Sequence, residues 1–362
     1  MKKFSLIVAI CLIVGLLAGC AGTPVVYYSN CTCPTGASEE VASVETQAAA
    51  TAPAAEGALK TGLFISTSIR DSKSATAEET GEAKYDVTIV AVLVDDEGII
   101  RDCIIDGISA SVSFDANGTI TSDLTAAPQT KTELGENYGM VAWGGAIAEW
   151  DEQVAALASF AVGKTVEELK SGAFDETGRA PEGTDLAASA TIYLGGYVSD
   201  IEAAVANAQH LGAQSGDVLK LASINGIDGS ASAGEKDGFT QLDATVTALT
   251  MNGETITSCA IDSVQAKVSF DTTGTITTDL TAPVQTKNAL GENYGMVAWG
   301  GAKAEWNEQA ASFASYVTGK TLAEVSGIAV DERTAPTDAD LASSVTIAIG
   351  GFQALIAKAA QE

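Results

Sequence analysis

The chain of 362 residues carries 47 acidic and 19 basic side chains, a formal net charge of −28 with one histidine. A field of that sign repels nucleic acid and anionic lipid headgroups, which excludes both as partners drawn in by long-range attraction. The same acidity keeps an exported protein in solution.

At the N-terminus Lys2 and Lys3 precede an apolar run from Phe4 to Leu17, which Leu17-Ala18-Gly19-Cys20 closes with small residues before a cysteine. This resembles a bacterial lipoprotein signal and lipobox. The run is short for a membrane span. Residues 1–20 are therefore expected to be processed so that Cys20 becomes the first mature residue, and lipid on Cys20 to hold the protein on the extracytoplasmic face of the cell membrane. From Ala37 to Ala58 the residues are mostly Ala, Ser, Thr, Glu and Pro, with little large apolar surface to offset the cost of ordering. Residues 21–58 are expected to be a disordered tether. Cys31 and Cys33 fall within it, and a Cys-x-Cys pair with no nearby histidine or third cysteine is a poor zinc site.

Beyond the tether, Gln129–Trp150 recurs as Gln285–Trp306 with changes only at Thr132/Asn288, Glu133/Ala289 and Ile147/Lys303. The chain is a tandem duplication. At this repeat length each copy is expected to be a domain with its own core, 59–208 and 216–362, joined by Gln209–Ser215. Self-contained copies argue against a solute-binding protein that closes two dissimilar lobes on its ligand. Duplication is also a filter, since a site that matters is expected twice. His210, in the joint, has no counterpart, so neither a duplicated Ser-His-Asp centre nor a duplicated histidine–metal centre fits.

Each copy begins with strands. Val87–Val94 and Ala244–Met251 are rich in β-branched residues and run into the turn signals Asp95-Asp96-Glu97-Gly98 and Asn252-Gly253. Cys103 and Cys259 hold equivalent strand positions and are expected to be buried thiols, out of disulfide reach of each other. A second turn follows Val112 and Phe114 at Asp115-Ala116-Asn117-Gly118, before Ile120. Its partner follows Val268 and Phe270 at Asp271-Thr272-Thr273-Gly274, before Ile276. Neither has the spaced acidic ladder of a calcium loop, so both are read as turn chemistry.

Helices follow. Trp150, Val154, Leu157 and Ala161 share one helical face, as do Trp306, Ala310, Phe313 and Val317. Glu149 with Glu152, and Glu305 with Glu308, are read as an exposed acidic face. Thr165–Glu168 and Thr321–Glu324 have the form of capping boxes opening a short helix. Gly163-Lys164-Thr165 and Gly319-Lys320-Thr321 lack the earlier glycine of a phosphate loop and are set aside. Leu194, Val198, Ile201 and Val205, and Val345, Ile349, Phe352, Ile356 and Ala359, predict a terminal amphipathic helix in each copy, starting near Asp185–Thr191 and Asp340–Thr346. Gly195-Gly196 and Gly350-Gly351 within it imply a close neighbour, a ligand or a break. The expected fold is α+β: two tandem homologous domains, each an antiparallel β-sheet of hairpins followed by helices and ending in an amphipathic helix.

Asp185-Leu-Ala-Ala-Ser-Ala-Thr191 and Asp340-Leu-Ala-Ser-Ser-Val-Thr346 share a spacing that resembles the Asp-x-x-Ser/Thr-Gly-Ala-Thr signature of bacterial FMN-binding-domain lipoproteins, tandem forms of which are associated with extracellular electron transfer. The signature's glycine is Ser189 or Ser344 here. The resemblance implies FMN joined through its phosphate to Thr191 or Thr346, beside Asp185, Ser189, Asp340 and Ser344. It also implies a flavin transferase and a membrane redox donor as partners. On physical grounds, a phosphate here is expected to meet unpaired N–H groups and the positive end of a helix dipole; without a ligand the same residues serve as helix caps. Tyr138 and Tyr294, with Met140, Trp143, Trp150 and their copies Met296, Trp299 and Trp306, offer faces to an isoalloxazine ring or a sugar, or else fill the core. The expected function is electron carriage rather than enzymatic turnover. The alternative is a non-redox cell-envelope binding or adhesion lipoprotein that keeps the fold without flavin.

Overall fold

A computed structural model describes residues 57–361. The signal, Cys20, Cys31, Cys33 and nearly all of the tether lie outside the described residues. Among those described, no helix is long and apolar enough to cross a membrane.

The first repeat forms an antiparallel sheet of β1 (Lys60–Ser68), β2 (Gly81–Val94) and β3 (Ile100–Phe114), in that spatial order. The helices α1 (Lys131–Leu134), α2 (Trp150–Ala161), α3 (Val166–Gly172), α4 (Asp185–Ser189) and α5 (Gly195–Ala206) follow. The second repeat gives the same order, with β4 (Val218–Gly226), β5 (Gly238–Asn252) and β6 (Thr255–Phe270). Its helices are α6 (Lys287–Leu290), α7 (Trp306–Val317), α8 (Leu322–Ser326), α9 (Ala339–Ser344) and α10 (Gly350–Ala359). The fold is α+β, with two antiparallel three-stranded sheets each followed by helices.

The burial pattern of β2 shows how the layers stack. Its first half alternates, but from Ile89 to Val94 every residue is buried, because both faces are covered. Tyr85, Val87, Ile89, Ala91 and Leu93 face the sheet of the other repeat, while Val90, Val92 and Val94 face α2 and α5. The result is four layers, helices, sheet, sheet and helices, with a core between the sheets and one under each helical layer. The repeats are thus not self-contained. Each has its own sheet–helix core, but a third core belongs to both.

That shared core is built by matching residues. Phe114 and Phe270 stack with ring centroids 4.1 Å apart and planes 4° from parallel. Tyr85 Oη and Thr240 Oγ1 lie 2.6 Å apart, and Thr61 Oγ1 and Ser258 Oγ 2.7 Å apart. The turns after β3 and β6 act as reciprocal clasps. Ala233 N donates to Gly118 O at 2.7 Å and Ala75 N to Gly274 O at 2.9 Å, while Ile120 N and Ile276 N donate to Ser232 Oγ and Ser74 Oγ, each at 2.9 Å. Asp115 and Asp271 carboxylates accept from backbone N–H groups within their own turns, the Asx chemistry the sequence suggested.

Three local expectations shift. The β5–β6 loop is Gly253-Glu254 rather than Asn252-Gly253, since Asn252 pairs with Thr255 and Gly253 takes φ +60°. Gln209–Ser215, expected only as the joint between the copies, also pairs with the first repeat: Thr61 and Gln209 exchange N–H···O bonds of 2.9 and 3.1 Å, and Leu59 N donates to Ala213 O at 2.9 Å. Ala58, assigned to the tether, forms a bridge with Gln214. The two long helical faces fall as expected: Trp150, Val154, Leu157 and Ala161 of α2 and Trp306, Ala310, Phe313 and Val317 of α7 are all buried. Both threonine capping boxes are present, at Thr165–Glu168 and Thr321–Glu324. Cys103 and Cys259 are buried thiols whose pKa burial pushes up to about 12, which keeps them unreactive.

Candidate functional site

The two Asp-to-Thr motifs do not open a terminal helix. Asp185 and Ser189 lie in α4, Asp340 and Ser344 in α9, and Thr191 and Thr346 fall in the connector before α5 and α10. The helix is broken between them, so Gly195-Gly196 and Gly350-Gly351 form the first turns of α5 and α10 instead of sitting inside a helix. The caps of α4 and α9 are residues ahead of the motif aspartates: Thr184 Oγ1 accepts from Ala187 N at 3.2 Å, and Asp338 Oδ1 from Asp340 N at 3.1 Å. Ser189 and Ser344 hydroxyls donate back to the carbonyls of Asp185 and Leu341, at 3.2 and 3.3 Å.

The N–H groups that a phosphate was expected to meet are already paired. Gln153, fully buried on α2, turns its Oε1 to Thr191 N at 2.8 Å, Ile192 N at 3.2 Å and the Thr191 hydroxyl at 3.3 Å. Gln309 on α7 does the same for Thr346 N, Ile347 N and the Thr346 hydroxyl at 2.8, 3.2 and 3.1 Å. The opposite ends of both amides donate to Ala148 O and Ala304 O at 2.8 Å. Each glutamine is a three-way internal strut, and its carbonyl stands where an anion would. Arg179 caps the Thr191 carbonyl. Thr191 and Thr346 themselves remain exposed at the surface.

A hollow of about 270 Å³ opens beside Thr191, lined by Thr88, Ile192, Tyr193, Gly196, Tyr197 and Asp200. That is below the roughly 300–1,000 Å³ of pockets enclosing drug-sized ligands. Its second-repeat counterpart has a different make-up. Tyr193 packs over Gly178, whose backbone has φ +75° and whose missing Cβ leaves room for the ring. At the matching positions the second repeat has Ala348 and Thr334, and Thr334 is the one non-glycine residue with positive φ among those described, at 60°. Loss of the ring frees the space that a Cβ at that strained position needs.

Asp200 in the hollow gives a pH test. Ser66 Oγ donates to its Oδ2 at 2.9 Å, but burial outweighs this and pushes the carboxyl up to about 6. The folded carboxyl keeps its proton over a range where the unfolded chain, with a value near ~4, has lost it. Its contribution to stability is therefore present below pH ~4 and lost as pH rises through about 6. Allowing for solvent screening, the loss is about 1–2 kcal/mol. Urea unfolding across that window is expected to show the decline in wild type and a flatter profile in Asp200→Asn; an identical profile in the variant excludes Asp200 as the source.

The second candidate lies on the loops ahead of α2 and α7, and it is duplicated nearly atom for atom. Trp150 and Trp306 are core residues, and Tyr138 and Tyr294 are half-buried around an inward lysine. Lys131 Nζ lies 5.3 Å from the Tyr138 ring centre and 4.9 Å from that of Trp150; Lys287 lies 5.1 and 4.9 Å from Tyr294 and Trp306. Burial lowers the pKa of Lys287, against the pull of Asp243 and Asp262. Neither tyrosine has a hydrogen bond to Thr191 or Thr346 among the described residues; the block reaches the Thr191 hollow only through Trp150, whose Nε1 donates to Tyr197 Oη at 2.9 Å. Trp143 and Trp299, in contrast, are 84% and 86% exposed, with Val141 and Val297 each 45% exposed beside them.

Such exposure on glycine-rich loops would ordinarily mean a mobile loop, but these are pinned from beneath. Glu149, 6% exposed, accepts from Met140 N at 2.8 Å and Val141 N at 2.9 Å; Glu305, 4% exposed, accepts from Met296 N and Val297 N at the same distances. Both also close capping boxes with Glu152 and Glu308. The acidic pairs expected to form an exposed face thus contribute one buried anchor each. Trp143 rests on Gly139 and Trp299 on Gly295, both at positive φ, where a Cβ would overlap the Trp143 indole and crowd that of Trp299. Glu149, Gln153, Glu305 and Gln309 are anchors that no local pattern marks. The available signal was their recurrence at matching positions, polar residues kept beside an apolar helical stripe.

No protein-family model, curated protein or solved structure matches the chain.

Proposed function

We propose that this protein is a non-enzymatic binding lipoprotein, anchored by lipid on Cys20 to the outer face of the cell membrane, that grips an extracellular polymer through Trp143 and Trp299. The observation that carries this reading is the pair of nearly fully exposed indoles, each on a loop immobilised by a buried glutamate. An indole held rigid in water has little ordering entropy left to lose on contact and offers a flat apolar face to a sugar ring or peptide. Two copies on one chain add avidity when both reach the same polymer. Co-sedimentation with insoluble cell-wall glycan is the test. Trp143→Ala and Trp299→Ala are each expected to weaken retention about tenfold or more, and the double variant to abolish it. Undiminished retention of the double variant overturns the reading.

A second reading keeps the two FMN-binding-like domains, with flavin on Thr191 supplied by a transferase and reduced by a membrane donor, making the protein an electron carrier. It is supported by the exposure of Thr191 and by the Tyr193–Tyr197 hollow beside it. The Thr191 hydroxyl would have to leave Gln153 Oε1 to be esterified. After co-expression with a flavin transferase, flavin fluorescence that survives denaturation and disappears in Thr191→Ala supports this reading; colourless protein removes it. Near Thr346 the residues matching Tyr193, Tyr197 and Asp200 are Ala348, Phe352 and Leu355, which offer a different surface, so a single flavin is expected.

A further inference from the structure

The duplication gives β1 and β4 equivalent places in the two repeats, but the surroundings of their outer edges differ. The outer edges of β1 and β4 face helices and loops of the opposite repeat. Along β4 that edge is pinned shut: Lys358 Nζ on α10 donates to Ser223 O at 2.6 Å and pairs with Glu133 Oε1 at 2.6 Å, while Asn225 Nδ2 donates to Pro128 O at 3.0 Å. At the matching places along β1 stand Ala203 for Lys358, Ala289 for Glu133, Ile65 for Ser223, Thr67 for Asn225 and Val284 for Pro128. All the pins are absent, and a cleft of about 1140 Å³ opens there. Two of the three differences between the near-identical segments, Thr132/Asn288 and Glu133/Ala289, fall at this place.

The cleft exposes a usable strand edge. Thr61 exchanges bonds with Gln209, and Leu63 O accepts from Asn207 Nδ2 at 3.1 Å, so the odd-numbered residues of β1 turn their backbone groups outward. Among the described residues that pairing stops at Leu63, which leaves the outward N–H and C=O groups of Ile65 and Thr67 without protein partners. Thr67 Oγ1 and Asn307 Oδ1, both on cleft-lining side chains, are buried and unpartnered as well. No lysine or arginine lines the cleft; its titratable lining residues are His210 and Asp262, whose Oδ1 accepts from Ser263 N at 2.7 Å and Asn288 N at 3.1 Å. Ile65 O occupies the place where, on the pinned side, an ammonium is bound.

We propose that this cleft binds an extended, basic peptide segment, which adds a strand to the free edge of β1 at Ile65–Thr67. Backbone pairing supplies the affinity, as in other strand-addition complexes, and the acidic chain favours a cationic segment over an anionic one. This site is separate from the tryptophan loops and stands whether or not they bind a polymer.

The test uses the full chain and a fluorescein-labelled Val-Lys-Val-Thr-Val-Lys-Val peptide, followed by anisotropy and by hydrogen exchange at the Ile65 and Thr67 amides. Binding is expected, with protection of both amides and at least tenfold weaker binding of a Glu-for-Lys peptide and of one with alternate amides N-methylated. The variant Ala203→Lys/Ala289→Glu, which rebuilds the pin, is expected to abolish binding with an unchanged melting curve. Should that variant misfold, Thr67→Pro removes one outward N–H and is expected to weaken binding at least tenfold. Trp143→Ala/Trp299→Ala is expected to bind the peptide normally, which separates this site from the polymer-gripping loops. Absence of binding at millimolar peptide, equal binding of the acidic peptide, full binding by the folded pinned variant, or displacement by cellohexaose overturns the proposal.

Discussion

Phe114→Ala is expected to lower unfolding free energy by about 3–5 kcal/mol, the largest effect of any single truncation proposed for this chain. The ring is fully buried and stacks on Phe270 between the two sheets. Its removal leaves a cavity walled by two sheets that are covered on their other faces by α2, α5, α7 and α10, so neither can collapse inward without disturbing a helical layer. Because the inter-sheet core draws on both repeats, urea unfolding followed by tryptophan fluorescence and by far-ultraviolet circular dichroism is expected to remain one coincident transition, shifted to lower urea. A double-mutant cycle with Phe270→Ala is expected to show a coupling of about 0.5–1.5 kcal/mol. Two transitions, with only one repeat destabilised, would exclude a common core.

Glu149→Ala is expected to cost about 2–4 kcal/mol and to release the Trp143 loop. The carboxylate accepts from Met140 N and Val141 N while capping α2, so its loss strands backbone donors as well as a helix end. Hydrogen exchange at those two amides is the direct measurement. They are expected to be protected in wild type and to exchange rapidly in the variant, and Glu305→Ala to act identically on Met296 and Val297. Binding to glycan is expected to fall even though Trp143 is still present, because the loop's ordering entropy is then lost on contact. Unchanged protection in Glu149→Ala would show that the loop is held by other means.

The sequence announced a good deal of this. Helix α2 was legible because its apolar residues recur at helical spacing, and its buried stripe is the predicted one. The capping boxes at Thr165 and Thr321 were legible because they are local hydrogen-bond arrangements that need no tertiary partner. The Asp-to-Thr motifs were less so. Their spacing suits a single helix start, but α4 stops at its C-cap Ala190, whose backbone is extended, and a long-range bond from Gln153, far back in the chain, holds the Thr191 amide that follows. Glu149 was misread for the same reason, since a carboxylate at a helix start reads as solvated until the loop that it anchors folds over it.

The duplication, the strands-then-helices order of each copy and the positions of the long helical stripes can all be read from residue order alone. These follow from periodicity and turn chemistry, which act over a few residues. Four features emerge only on folding: the copies share a core, the motif threonines are engaged by buried glutamines, two tryptophans stand in solvent, and one of two matching edges is open. Each of these depends on which residues distant in the chain come within bonding distance, and that is set by the packing of two sheets face to face rather than by any local pattern.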